Sequence, residues 1–238
     1  MLISFFIPIF VAHNIKSGKV IRKEVEKSGS VWAIKAITGS SEELLAALDK
    51  KEWYIPFLNR ISTESRKKEW LTVRVLLKEL IGEEKEIAYT ETGKPFLRDQ
   101  SFFINISHTR GYVAVAVHPS QPIGIDIEFL SERVQKIKNR FLNETEKTAL
   151  CKEQELIHLL LHWSAKESLF KILDEQKVDF KECLHIRPFT PLLNTLDSFS
   201  AYETRTKDKR FFNIRYVATS DYVLTLAESV LKNKEPDS

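Results

Sequence analysis

An α+β fold built as two related halves is predicted by three observations. Strand-like runs alternate with two long helical segments along 238 residues, a length that suits one large domain or two small ones. The stretch "FFINISHTRGYVAVAV" (102–117) is echoed by "FFNIRYVATSDYVLTLA" (211–227) in a double Phe, an Asn-Ile pair and a later Tyr-Val strand. Such an echo implies two halves meeting near residue 120, each closed by a similar strand pair. A hydrophobic content of 43%, with 15 Phe and 4 Trp, is ample for a packed core.

The elements follow in order. "MLISFFIPIFVAH" reads as a buried first strand, because it lacks a basic leader and a small-residue cleavage site and is too short to span a bilayer. "SVWAIKAIT" (30–38) reads as a strand, and "SEELLAALDKKEWYIPFL" (41–58) has helical spacing until Pro56 interrupts it. The segment 62–82 is the clearest helix, with Ser and Thr near its start and Gly82 beyond its end. "ETGKPF" (91–96) is expected to be a turn or loop. "SFFINIS" and "GYVAVAV" read as strands joined by a connection around His108. Asn143 with Glu146 three residues on forms a capping box. "ELIHLLLHWSAKESLFKIL" (155–173) is a second long helix, apolar over more than half its circumference and so expected to be deeply packed. The tail after Glu228 is expected to fray.

Charge and cysteine content narrow the function. The 36 basic and 33 acidic residues leave +3, too balanced for a nucleic-acid binder by bulk charge. Cys151 and Cys183 stand in no metal or redox spacing, which fits a reduced, cytoplasmic protein. No Gly-rich phosphate loop, Walker motif or nucleophile elbow occurs.

The chemistry-bearing stretch is "PIGIDIEFL" (122–130). Successive strand side chains point to opposite faces, so Asp126 and Glu128 share one face and Ile125, Ile127 and Phe129 the other. On a solvated strand such a pair is ordinary, but Gly124 and the flanking isoleucines imply a crowded, water-poor setting. There two carboxylates raise each other's pKa unless a cation joins them. Hard oxygen donors suit Mg²⁺, which usually shares its shell with a phosphate substrate. In "WSAKESLFK" (163–171), Trp163, Glu167 and Lys171 recur every four residues along one helix face. Alone, Glu167 and Lys171 would be a surface ion pair; among Leu160, Leu169, Phe170 and Ile172 they need more specific partners. Arg66 and Arg74 stand two turns apart with Trp70 between them, whereas Lys67 and Lys68 read as solvated. Lys94 lies in a Gly-Pro loop, where ligand contacts concentrate. His108 ends a strand, while His158 and His162 form an i,i+4 pair without a metalloprotease Glu and read as packing or surface residues.

The ordered set "GKP", "NISH", "GIDIE", "RF" with a following Glu, and "WSAKESLFK" resembles the phosphopantetheinyl transferase superfamily. Length and the internal echo resemble its two-lobed, monomeric surfactin-activator type. The resemblance spans residues 93 to 171. It implies two α/β subdomains related by a pseudo-twofold with the active site at their interface. Residues 1–120 would supply the nucleotide contacts of coenzyme A, and residues 121–238 the metal-binding acids and the catalytic helix. It implies transfer of the phosphopantetheine arm of coenzyme A to a serine of an acyl or peptidyl carrier protein, with Mg²⁺ held by Asp126, Glu128 and Glu167. Glu167, directly or through a metal-bound water, would be the base, and Lys171 would serve the phosphate or the leaving group. His108 and Ser107 would contact phosphate, Lys94 and Pro95 the nucleotide end, and Arg66 and Arg74 the ribose phosphate. Glu146 would support the metal through water. The family's Gly-rich stretch after the final Lys is replaced here by "ILDEQKVDF". The resemblance carries no expectation of nucleic-acid or membrane partners.

Two other classes fit parts of the pattern. A metal-dependent nuclease also uses strand carboxylates with Glu and Lys, but usually places the final pair on adjoining strand positions, and near-neutral charge offers DNA little. A coenzyme-A-binding module without catalysis would not require the full set of Glu167, Lys171 and the strand acids.

Overall fold

The computed structural model describes residues 20–173 and 177–230; the expected first strand and the tail from residue 231 lie outside them. Strands β1 (Val20–Val25) and β2 (Val31–Ala36) form a hairpin. The segment read as one helix up to Pro56 is two, α1 (Ser41–Ala46) and α2 (Lys51–Leu58), and Pro56 lies inside the second. The break has a physical cause: the Glu84 carboxylate accepts the N–H groups of Asp49 and Lys50, capping α2 from outside. Helix α3 (Glu64–Ile81) ends at Gly82, whose φ of +89° favours glycine. Strands β3 (Ile87–Tyr89) and β4 (Pro95–Leu97) form a small ribbon, so Pro95 and Phe96 are strand residues rather than loop.

Strands β5 (Phe103–Thr109) and β6 (Tyr112–His118) turn at Arg110–Gly111. His108 therefore belongs to a strand, opposite Val113, and not to the connection. Strand β7 (Ile123–Phe129) is followed by α4 (Arg133–Phe141), a polar helix not anticipated from the sequence, and by α5 (Glu144–Thr148) with the predicted Asn143–Glu146 capping box. Helix α6 spans Glu155–Leu173, the range read from the sequence. The chain closes with α7 (Phe180–Cys183), β8 (Leu184–Ile186), β9 (Leu196–Glu203), β10 (Phe211–Ala218) and β11 (Tyr222–Ser229).

The strands form two main sheets, ordered β1-β2-β6-β5 and β7-β11-β10-β9-β8, in which every pairing is antiparallel. The echoed sequences are the hairpins β5–β6 and β10–β11. In each case the second strand of the hairpin lies beside the strand that precedes a long helix, β2 before α3 and β7 before α6. Alternation along the strands sets the layers. Val31, Ala33, Val113 and Val115 pack under α3 with Val73, Leu76 and Leu77. Their neighbours Trp32, Ile34, Ala114 and Ala116 face Ile125, Ile127, Leu224 and Leu226 of the other sheet. Phe212, Ile214 and Val223 pack with Leu161, Ala165 and Leu169 of α6. The order is helix, sheet, sheet, helix.

The two sheets meet along β5 and β7, each an edge strand, without main-chain pairing. Asn105 Oδ1, Ser107 Oγ and Thr109 Oγ1 accept the backbone N–H groups of Ile125, Ile127 and Phe129 at 3.3, 3.2 and 3.0 Å. Three alternate side chains thus stand in for a neighbouring backbone and satisfy donors that an edge strand would leave bare.

Candidate active site

Gly124, Asp126 and Glu128 occupy the face of β7 turned to α6. A Cβ built on Gly124 would lie 2.0 Å from the Ser168 carbonyl oxygen, so only glycine lets the helix backbone approach this closely. That contact brings Glu167 and Lys171 to the strand acids. Lys171 Nζ donates to the Ile125 carbonyl at 2.8 Å and to Asp126 Oδ1 at 3.0 Å. Ser107 Oγ donates to the same Oδ1 at 2.9 Å. Asp126 is buried at 5% exposure, and its second oxygen, Oδ2, has no hydrogen-bond partner. Glu128 Oε1 accepts the Trp163 indole N–H at 2.8 Å.

The acids act on one another. Burial, followed by the charges of Asp126 and Glu128, raises the Glu167 pKa to about 7, with Lys171 opposing. Burial and Asp126 likewise push Glu128 above the usual carboxylate range. Among the described residues no three His, Cys, Asp or Glu side chains are already gathered as a metal site. The donor chemistry nevertheless fits a hard cation: a buried oxygen lacks a partner, and two neighbouring carboxylates are held against their charge.

The cations expected at the nucleotide end divide. Arg66 is exposed and its Nη1 lies 3.0 Å from His108 Nε2. Glu69 pairs with both, at 2.8 Å from His108. Burial is the main cause of a lowered His108 pKa, aided by Arg66 and Lys171, which favours the neutral ring at pH 7. Arg74 is 4% exposed. Its guanidinium lies 3.5 Å from the Trp70 ring centre, donates to the Trp70 carbonyl and donates to the Tyr89 hydroxyl at 3.0 Å. Lys94 sits half-buried at the β3–β4 turn beside Pro95, and its backbone N–H donates to Thr90 Oγ1.

Three features were not read from the sequence. Glu146, expected to reach the metal through water, is instead given a lysine. The fully buried Lys166 Nζ donates to Glu146 Oε2 at 2.7 Å and to the Phe141 and Phe180 carbonyls. Glu146 also accepts the Asn143 and Ile186 N–H groups. A cavity of about 560 Å³ opens beside Glu128, walled by Phe129, Val134, Ile137 and Trp163 with Arg110 and Arg133. Ser164, Ser168 and Thr225 form a buried hydroxyl cluster between α6 and the sheet. A lysine inside a helix as apolar as 155–173 signals a buried partner; the cavity and the hydroxyl cluster depend on residues far apart in sequence. His158 and His162 are buried against Phe189, His158 edge-on and His162 stacked, which is the packing alternative of the two roles expected.

A strand carrying paired acids, packed on a helix carrying Glu and Lys, has the residue types that metal-assisted phosphoryl transfer requires. Residues 122–227 match the 4'-phosphopantetheinyl transferase superfamily. It is 38% identical over 85 residues to the 4'-phosphopantetheinyl transferase Sfp of Bacillus subtilis, covering 34% of this chain and 38% of that one. It is 36% identical over 86 residues to the 4'-phosphopantetheinyl transferase gsp of Aneurinibacillus migulanus, 35% of each chain. It is 29% identical over 112 residues to the 4'-phosphopantetheinyl transferase AcpT of Escherichia coli, 44% of this chain and 57% of that one. The matched stretch thus spans between about a third and three-fifths of these curated relatives.

Proposed function

We propose that this protein transfers the phosphopantetheine arm of coenzyme A to a serine of an acyl or peptidyl carrier protein, as a Mg²⁺-dependent, cytoplasmic, monomeric enzyme. The single observation that carries the reading is the buried, unpartnered Oδ2 of Asp126 among Glu128, Glu167 and Lys171. Asp126, Glu128 and Glu167 would hold the cation. Bound there, Mg²⁺ supplies charge neutralisation for the diphosphate.

The chain's own residues do the rest. Glu167 accepts the proton of the carrier serine as its oxygen bonds to the phosphorus bearing the pantetheine arm. The bond from that phosphorus to the bridging oxygen breaks, and adenosine 3',5'-bisphosphate leaves. Lys171 neutralises or protonates the departing phosphate. Ser107, His108 and Arg66 receive phosphate oxygens, and Lys94 and Pro95 receive the nucleotide end. Arg74 serves the ribose-phosphate side through the Trp70 and Tyr89 surface that it holds. The cavity beside Glu128 admits the serine. The subdomain roles follow: nucleotide contacts from residues 1–120, acids and catalytic helix from 121–238. Mass spectrometry of a panel of apo carrier proteins incubated with coenzyme A and Mg²⁺ should show the phosphopantetheine mass gain. A panel without any gain overturns the reading.

A further inference from the structure

Thr225 is fully buried and lies directly across the β7–β11 ladder from Asp126. Its Oγ1 stands 2.9 Å from Ser164 Oγ and 2.8 Å from Ser168 Oγ. Ser164 Oγ also reaches the Asp126 carbonyl at 3.3 Å, and Ser168 Oγ reaches the Thr225 carbonyl at 3.2 Å. Each hydroxyl has one proton, and a carbonyl can only accept. Ser164 therefore donates to Asp126, Thr225 to Ser164, and Ser168 to Thr225, sharing its proton between Oγ1 and the carbonyl. One direction satisfies all three buried hydroxyls and ends on the backbone of the acid.

The placement on α6 matters. Ser164 is three residues before Glu167 and Ser168 three before Lys171, so each serine shares a helical turn with one functional side chain. Trp163 and Lys171 also bond to β7, but through the acids and carbonyl of the site itself; the remainder of the interface is apolar and non-directional, and hydrogen bonds are what fix rotation and height of the helix on the sheet. We infer that Thr225 is a positioning residue: the hub of a hydroxyl relay that sets how Glu167 and Lys171 face Asp126 and Glu128. The inference rests on the transferase reading above.

Thr225→Val keeps the shape and orphans no donor, since both serines retain a carbonyl acceptor, so the fold should survive with an unchanged circular dichroism spectrum. A small displacement of aligned groups is costly to rate. The variant should lose about tenfold or more in kcat, with KM for coenzyme A and carrier within about twofold. Its affinity for Mn²⁺ alone should weaken, and Thr225→Ser should restore both. A Thr225→Val protein with wild-type kcat and Mn²⁺ affinity overturns the relay, as does a Ser variant no better than Val. If the wild-type protein neither binds Mn²⁺ nor modifies any carrier, the transferase reading has failed and takes this inference with it.

Discussion

Two lysines five residues apart on α6 meet a carboxylate each, and their surroundings could hardly differ more. Lys166 is fully buried, and its ammonium is surrounded by Glu146 and two carbonyls. Every oxygen of Glu146 is used. Lys171 is about a quarter exposed, and its partner Asp126 keeps one oxygen unsatisfied. A saturated ion pair ties α5, α6 and β8 together and has no capacity left for a ligand. An unsaturated one, crowded by further acids, is held ready for something else. Saturation, more than burial or charge, separates the structural pair from the one proposed to function.

Breaking the saturated pair should have the largest effect on stability. Lys166→Met leaves Glu146 buried and unpaired, and should cost about 3–5 kcal/mol in urea unfolding. Lys166→Met with Glu146→Leu should recover part of that loss. An unchanged urea midpoint in the single variant would erase the contrast.

The acid cluster should behave oppositely. The folded-state pKa of Glu167 is raised to about 7 from 4.5, so its folded form prefers the proton. Its favourable contribution is complete below the unfolded pKa and is lost as pH rises through about 7. Glu167→Gln should therefore stabilise the metal-free protein by about 2 kcal/mol at pH 8 and change little at pH 4, while transfer is lost. Equal melting curves at pH 8 would count against that strain.

Subtler is Asp126→Asn. Removing the charge that raises Glu167 should lower the Glu167 pKa, read by carbon-detected NMR titration, and should abolish transfer. A Glu167 pKa that stays at about 7 would mean that burial and Glu128 set it without Asp126. The smallest effect is expected of Arg66→Gln: exposed and paired with Glu69, it should leave stability within about 0.5 kcal/mol. Its signature should be a higher KM for coenzyme A.

What could be read in the sequence had local causes. The alternation in "GIDIE" placed both acids on one face, the capping box announced α5, and Gly82 ended α3 where its positive φ was needed. Helix α4 escaped because its apolar residues, Val134, Ile137 and Phe141, are few among charges. The partner of Lys166 and the ring over which Arg74 is folded are settled by packing. Trp70 was visible four residues from Arg74, but not that it would cover the guanidinium. The hydroxyl cluster leaves no periodic trace, and the alternation of Asn105, Ser107 and Thr109 does not say what they face: Thr225 meets Ser164 only when α6 packs on its sheet, and Ser107 meets Asp126 only when the two sheets assemble.

The Asn105–Ser107–Thr109 seam carries a consequence for assembly. The same Ser107 hydroxyl that joins the two edges also grips Asp126. A slip of one repeat would exchange one acceptor for another yet carry the acid about 7 Å from its serine. Docking of the two sheets and attachment of Ser107 to the acid cluster are therefore one event. Fragments cut near residue 120 and mixed should restore the Ser107 grip on Asp126 only in the instant they lock in phase.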